Sequence, residues 1–309
     1  MNRATQLKAF GYWCRMQGLL GIARVGETAL KRFVKPSPPN IRPKQVEYLD
    51  ASRQSTLTFE GRSIAVYEWG DADAPYVFSS YGWAYNAGRW RHFAPQLIEA
   101  GYRFVAVDYQ GHGRSEYAEC DFPTMVRLLK QVLHHFGRPE LLLSHSFGAG
   151  LAMSMLSEVD RSLHPKRLAL LAGFSDVEYI FRQFAGALGF SESQYQSLAN
   201  AVERRTGEKI ESFDPARKSL ELGHIEALIA HDPKEEVTAF SNAIRLAEHF
   251  PGSYLYEAHG AGHGFTERET SDAVLNWLIN GTAPPAAKRL EKRLSPPHSQ
   301  QVVDSDYFR

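Results

Sequence analysis

Cysteine is nearly absent: the 309-residue chain has two, Cys14 and Cys120. They could form one bridge at most, so there is no disulfide framework and no Cys/His cluster spaced for zinc. Two unpaired thiols in a reducing compartment are expected. Charge of one sign is also lacking. Lys+Arg and Asp+Glu both number 35, for a formal net charge of +0. No overall positive field favours nucleic acid or an anionic surface. No run of about 18 apolar residues occurs, so no membrane-spanning helix or stable insertion is expected. Lys8, Arg15 and Arg24 near the N-terminus are not followed by the apolar stretch of a secretory leader. A cytoplasmic location is the expectation. Gly-x-x-x-x-Gly-Lys-Ser/Thr and His-Glu-x-x-His are both missing, and no metal or cofactor is expected.

The composition that remains is 43% hydrophobic and 23% charged, ordinary for a globular chain. Its length allows one large α/β domain with a modest insertion, or two small domains. Residues 1–35 carry Leu7, Phe10, Trp13 and Met16 at helical spacing, so one or two helices are expected there, packed on the main domain. A partner-binding or membrane-surface helix is the alternative, although the basic residues form no clean face. Pro36, Pro38, Pro39 and Pro43 make the next stretch a linker, giving an extension over 1–50.

From about residue 55 the pattern becomes strand and helix in alternation. Thr56–Phe59 and Ile64–Tyr67 flank a turn at Gly61. Strands follow at Tyr76–Ser80, Phe104–Asp108, Leu141–Leu143, Arg167–Ala172, Ile225–Ala230 and Ser253–Glu257. Helices are expected at Phe93–Ala100, Met125–Phe136, Ala149–Leu156 and Glu267–Asn280. This alternation predicts a mostly parallel sheet covered by helices on both faces. Residues 175–222 break the rhythm with Tyr179, Phe181, Phe184, Phe190 and Tyr195 in helical stretches. They read as a helical cap inserted into a core of residues 51–174 and 223–281. Residues 282–309, with four prolines among charges, read as a mobile tail.

The most informative stretch is Leu141-Leu142-Leu143-Ser144-His145-Ser146-Phe147-Gly148. A serine between an apolar strand and a helix, with small residues two before and two after, suits a nucleophile on a sharp turn. Gly148 meets the requirement; Ser144 replaces the usual Gly and should perturb the turn slightly. The first amides of the following helix favour developing negative charge. Downstream, Ala258-His259-Gly260-Ala261-Gly262-His263-Gly264 offers His263 in a bend of small residues. An imidazole there can take and return a proton near neutral pH.

Over about residues 55–280 the chain resembles the α/β-hydrolase superfamily, in its capped, serine esterase-like or lipase-like form. The segment Tyr76 to Trp83 looks like the strand and loop that help form the oxyanion hole, with Tyr81 where His is common and Gly82 kept. The resemblance implies that the N–H groups of Trp83 and Phe147 bind the oxyanion. Tyr81, Gly82 and His145 are then expected at the substrate. Asp108-Tyr109-Gln110-Gly111-His112-Gly113-Arg114-Ser115 resembles a turn that is usually structural, so His112 is expected to act structurally. His259, nearer the strand end than His263, is expected to be a surface or structural histidine. The triad acid should follow the strand ending near Ala230. Relatives place it four residues after a His, and counting from His231 gives Glu235. Asp232, Glu236 and, after the preceding strand, Asp176 remain open. Ser at 146 argues against the branches that attack with a carboxylate.

The expected activity is hydrolysis of a small carboxylic ester or related acyl substrate through Ser146, His263 and Glu235. Acyl transfer to another acceptor, C–C bond hydrolysis and a non-catalytic binding role on the same fold are the alternatives. Substrate identity and oligomeric state are left open.

Overall fold

The computed structural model describes residues 3–37 and 40–290. Two helices come first, α1 (Arg3–Gln17) and α2 (Ile22–Phe33), joined by a 3-10 turn at Gly18–Leu20. The expected linker holds a third, α3 (Pro43–Asp50). Proline suits the first turn of a helix, where no N–H bond is needed. Gln45 Oε1 accepts the Arg42 N–H at 3.0 Å, and Tyr48 stacks on Trp69 at 4.5 Å. The segment is therefore docked rather than free.

Strands β1 (Arg53–Phe59) and β2 (Arg62–Trp69) form a hairpin. Its two-residue turn puts Glu60 and Gly61 at positive φ, 47° and 75°, which matches the twist of the flanking strands. Then come β3 (Tyr76–Ser80), α4 (Ala94–Glu99), β4 (Arg103–Val107), α5 (Phe122–Phe136), β5 (Leu141–His145), α6 (Phe147–Ser157) and β6 (Arg167–Leu171). The insertion contributes α7 (Val177–Ala187), α8 (Glu192–Thr206) and the short α9 (Pro215–Lys218). The core resumes with β7 (Glu226–His231), α10 (Phe240–His249), β8 (Tyr254–Glu257), α11 (Arg268–Asn280) and β9 (Lys288–Arg289).

The sheet order is β1-β2-β4-β3-β5-β6-β7-β8-β9. Strands β3 to β8 are mutually parallel, and β1, β2 and β9 pair antiparallel at the two edges. Every residue of β3, β5 and β6 is buried, as expected of strands covered on both faces. Helices α4 and α11 form one covering layer, while α5, α6 and α10 belong to the other. Part of the expected tail is held at the sheet edge, where Lys288 and Arg289 pair with Leu255 and Tyr254. Residues 291–309 of that tail lie outside the described residues.

The N-terminal pair packs mainly on the insertion rather than on the sheet domain. A Cβ on Gly11 would strike the Leu188 carbonyl, and one on Gly26 the Ser197 carbonyl. These two glycines let helix backbones touch. Ser197 Oγ accepts the Gly26 N–H at 3.1 Å, and Arg15 donates to the carbonyls of Leu188 and Gly189. Cys14 and Cys120 are both buried free thiols.

Candidate active site

The chain must reverse between β5 and α6, and the residue at the reversal is Ser146. Its φ of 54° and ψ of −123° are unfavourable for a residue with a Cβ. The turn is held from both sides. Ser146 N–H donates to Leu171 O at 2.8 Å, and Ser146 O accepts from Ala149 N–H at 2.9 Å. Glycine at 148 is required because a Cβ there would fall against the carbonyls of Ser80 and Tyr81. Ser144 is accommodated by a hydroxyl chain. Ser80 Oγ donates to Gly148 O at 3.0 Å, so the 2.7 Å contact between the two hydroxyls has Ser144 donating to Ser80. The turn is kept, and the buried hydroxyl is satisfied. Gly82 faces it, where a Cβ would come 3.2 Å from Ser146 Oγ.

His263 Nε2 lies 3.1 Å from Ser146 Oγ, and His263 Nδ1 lies 3.1 Å from Glu235 Oε1. With Glu235 as acceptor, Nδ1 carries the proton and Nε2 is free to accept from the serine. The Glu235 carboxylate is almost wholly buried and accepts the N–H groups of Val237 at 2.6 Å and Thr238 at 3.0 Å. Burial by itself would raise its pKa. Hydrogen bonds from His231 and His263, and attraction to those rings, outweigh burial and hold the carboxyl well below its ordinary range. His231 Nε2 donates to Thr238 O at 2.9 Å and lies 3.3 Å from Glu235 Oε1.

The other acids do different work. Asp232 accepts the Gly262 N–H at 2.8 Å and the Lys234 N–H at 3.0 Å, so it ties the β7 loop to the loop of His263. Glu236 is exposed. Asp176 caps α7, accepting the Tyr179 N–H at 2.7 Å and the Ser175 hydroxyl at 2.8 Å.

Trp83 and Phe147 flank the nucleophile. The Phe147 N–H is the first of α6 and has no partner within the helix. The Trp83 loop is held by His112, whose Nε2 accepts the Ala84 N–H at 3.2 Å while Nδ1 donates to Gln110 O at 3.1 Å. Burial pushes the His112 pKa down to about 4, so the ring stays neutral in that role. His259 is 65% exposed and sits 3.6 Å from Glu257, apart from the relay.

Two expected substrate contacts need correction. Tyr81 is fully buried beneath the loop. Its hydroxyl donates to Asp108 Oδ1 at 3.1 Å and accepts the Tyr109 N–H at 3.0 Å. Asp108 is the hub there, accepting also from Tyr67 and from the N–H groups of Ala87 and Arg114. His145 is likewise fully buried, and its Nε2 donates to the carbonyl of His263 at 2.8 Å. Burial first, and then the Arg89 charge, push its pKa well below the ordinary value. His145 therefore buttresses the His263 loop. Gly82 lies beside the nucleophile.

Arg89 and Thr238 carry no signal in the sequence. Arg89 is buried and donates to Gly264 O at 2.9 Å, with no ion pair among the described residues. Thr238 Oγ1 lies 3.4 Å from His263 Nδ1. A cavity of ≈130 Å³ lies under the N-terminal pair, with Phe10, Phe33, Trp83 and Phe184 among its walls. Phe147 and Phe33 line a smaller apolar one beside α7. Ser146 lines neither.

Sheet, turn and relay define a hydrolase-type α/β protein with a serine at the strand–helix reversal. Residues 74–277 match the family model described as serine aminopeptidase, S33, and the chain belongs to that α/β-hydrolase family. It is similar to a serine hydrolase-like protein of Dictyostelium discoideum, 26% identical over 47% of this chain and 39% of that one. It is also similar to epoxide hydrolase B of Mycobacterium tuberculosis, 32% identical over 34% of this chain and 30% of that one. The chain thus spans less than half the length of these curated relatives. Among solved structures, an esterase from Exiguobacterium antarcticum superposes with a TM-score of 0.56 over 73% of this chain and 99% of that one, at 19% identity. At that identity the likeness is one of fold.

Proposed function

We propose that the protein hydrolyses carboxylic esters through Ser146, His263 and Glu235. The observation that carries this reading is the unbroken contact chain, Ser146 Oγ to His263 Nε2 and His263 Nδ1 to Glu235 Oε1, each link 3.1 Å. Ser146 Oγ attacks the ester carbonyl carbon, and His263 Nε2 takes the hydroxyl proton. The carbonyl oxygen becomes an oxyanion, stabilised by the N–H groups of Phe147 and Trp83. His263 returns the proton to the departing alkoxide, leaving an acyl-serine. Water, deprotonated by His263, then attacks the acyl carbon, and the acid leaves as Ser146 recovers its proton. Glu235 holds the Nδ1–H tautomer and stabilises imidazolium. An apolar acyl or alcohol group is favoured by the aromatic walls beside Trp83 and Phe147.

The test is turnover of p-nitrophenyl esters of increasing acyl length, beside an aminoacyl p-nitroanilide. The esters should turn over, and Ser146→Ala and His263→Ala should each lower kcat by about 10³-fold or more. A fluorophosphonate probe should label wild type and not Ser146→Ala. Turnover of the anilide alone would replace ester by peptide hydrolysis. Failure of the probe on folded protein would remove the catalytic reading.

A further inference from the structure

Helix α1 has two apolar sides. Leu7, Gly11 and Cys14 face the protein. On the opposite side stand Tyr12, Trp13 and Met16, and the chain continues with Leu19 and Ile22. These five are 68%, 51%, 61%, 79% and 52% exposed. Among the described residues, they are five of eight large hydrophobics left so exposed. A helix that packs only on its own protein needs one apolar side. A second one, clustered, marks an interaction surface.

The charge around it has one sign. Residues 1–37 contain seven Lys or Arg and one acid, Glu27, in a chain whose total balance is zero. Lys8, Arg24 and Lys31 are exposed and make no ion pair with any described residue. Arg15 lies over the Tyr12 ring at 4.4 Å. Aromatic and long apolar side chains beside unpaired basic ones suit the boundary between lipid headgroups and acyl chains. A second copy of the chain would bring the same positive surplus against itself, which disfavours self-association. Among the described residues, no helix is long and apolar enough to cross a membrane, so contact would be peripheral.

We propose that the α1–α2 pair docks the protein on an anionic phospholipid surface. Tyr12, Trp13, Met16 and Leu19 enter the headgroup boundary, and Lys8, Arg24 and Lys31 meet lipid phosphates. The cavity beside Trp83 is walled by the same pair, through Leu7, Phe10, Arg32 and Phe33. A lipid ester drawn from the surface would enter there; that route rests on the proposed ester hydrolysis, whereas the docking does not.

The experiment is sedimentation of the full chain with vesicles of phosphatidylcholine, with and without phosphatidylglycerol. Wild type should pellet with the anionic vesicles at low salt, and raised salt should release it. The variant Trp13→Ser/Met16→Ser/Leu19→Ser should bind about tenfold or more weakly. The variant Lys8→Glu/Arg24→Glu/Lys31→Glu should no longer distinguish the two vesicle types. Both variants should keep wild-type circular dichroism and turnover of a water-soluble short-chain ester. Wild type left in the supernatant, or serine variants that bind undiminished, would overturn the docking. So would a concentration-dependent dimer, abolished by the serine variant, without vesicle binding. Vesicle binding without ester turnover would count against the reaction and leave the docking intact.

Discussion

The floor of the candidate site and its roof are built by different means. The floor consists of loops at the carboxyl ends of β3, β5, β7 and β8, fixed by directional polar contacts. Asp232 holds Gly262, His145 holds the carbonyl of His263, Arg89 holds that of Gly264, and His112 holds Ala84. The roof consists of α1, α2, α7 and α8, fixed by aromatic packing and close backbone approach. Phe33 sits 4.3 Å from Phe181, 5.2 Å from Phe184 and 5.8 Å from Trp83. Hydrogen bonds specify position along a line, as proton transfer requires. Packed rings specify volume, which suits choice of substrate. Changes in the floor should therefore act on kcat, and changes in the roof on substrate preference and stability.

The strongest way to break that contrast is Glu235→Gln. The amide keeps the shape but has one acceptor oxygen where the carboxylate uses two, Oε2 for Val237 and Oε1 for Thr238 and His263. With its oxygen toward Val237 it turns an NH2 to His263 Nδ1 and no longer fixes the tautomer. We expect kcat to fall by about 10³–10⁴-fold with KM little changed, measured on a soluble ester. A fall below tenfold would show that another group orients His263. Next is His112→Ala, which frees the Ala84 N–H and loosens the loop of Trp83. Losing one oxyanion donor costs about 10²–10³ in kcat, so a loosened one should cost about 10-fold to 10²-fold. An altered KM with unchanged kcat would place His112 in the roof's class.

Two roof variants sharpen the other side. Gly26→Ala puts a methyl group into the Ser197 carbonyl and must push α2 off α8. We expect about 1–3 kcal/mol of destabilisation by denaturant unfolding, with short-ester turnover within a few-fold of wild type. Phe33→Ala removes a ring that walls both cavities. It should shift acyl preference toward longer chains by a few-fold in kcat/KM, read from the p-nitrophenyl series.

The same division explains what was legible in the sequence. Ser146 and His263 stand among small residues because the backbone there bends sharply, and such bends leave a local trace. Glu235 is reachable through the family resemblance, by counting from His231, because His231 ends β7 and Glu235 lies on the short loop that follows. The parallel sheet was legible because its strands are buried on both faces and so are apolar throughout. What a side chain faces leaves no such trace. His145 adjoins Ser146 in sequence and Tyr81 adjoins Gly82, yet both side chains point into the protein, toward the His263 carbonyl and Asp108. Arg89 has no motif, since its partner is a main-chain carbonyl 175 residues away. The proline-rich stretch reads as a linker because Pro43 resembles a breaker, although at the first turn it starts α3. Helix α10, between β7 and β8, is not among the expected helices, and the two residues of β9 are too few to show a pattern. The packing of α2 on α8 depends on Gly26 meeting Ser197, a pairing that neither segment shows alone.

The smallest expected effect lies in the acid limb of stability, and it concerns the floor alone. The Glu235 carboxyl titrates lower in the folded protein than in the unfolded chain, because the hydrogen bonds from His231 and His263 outweigh its burial. An unfolded Glu titrates near about 4.3. Below that pH the unfolded state takes up a proton that the folded state still refuses, so stability declines as pH falls. Above it both states are ionised, and the full contribution is present. Glu235→Gln has no such proton to take up. The stability difference between wild type and Glu235→Gln should therefore be constant from about pH 6 to 7 and shrink below about pH 4.5. Thermal unfolding of both proteins across that range measures it. A difference that stays constant to pH 3 would mean that the carboxyl titrates at its ordinary value, and that the hydrogen bonds from His231 and His263 do not outweigh its burial.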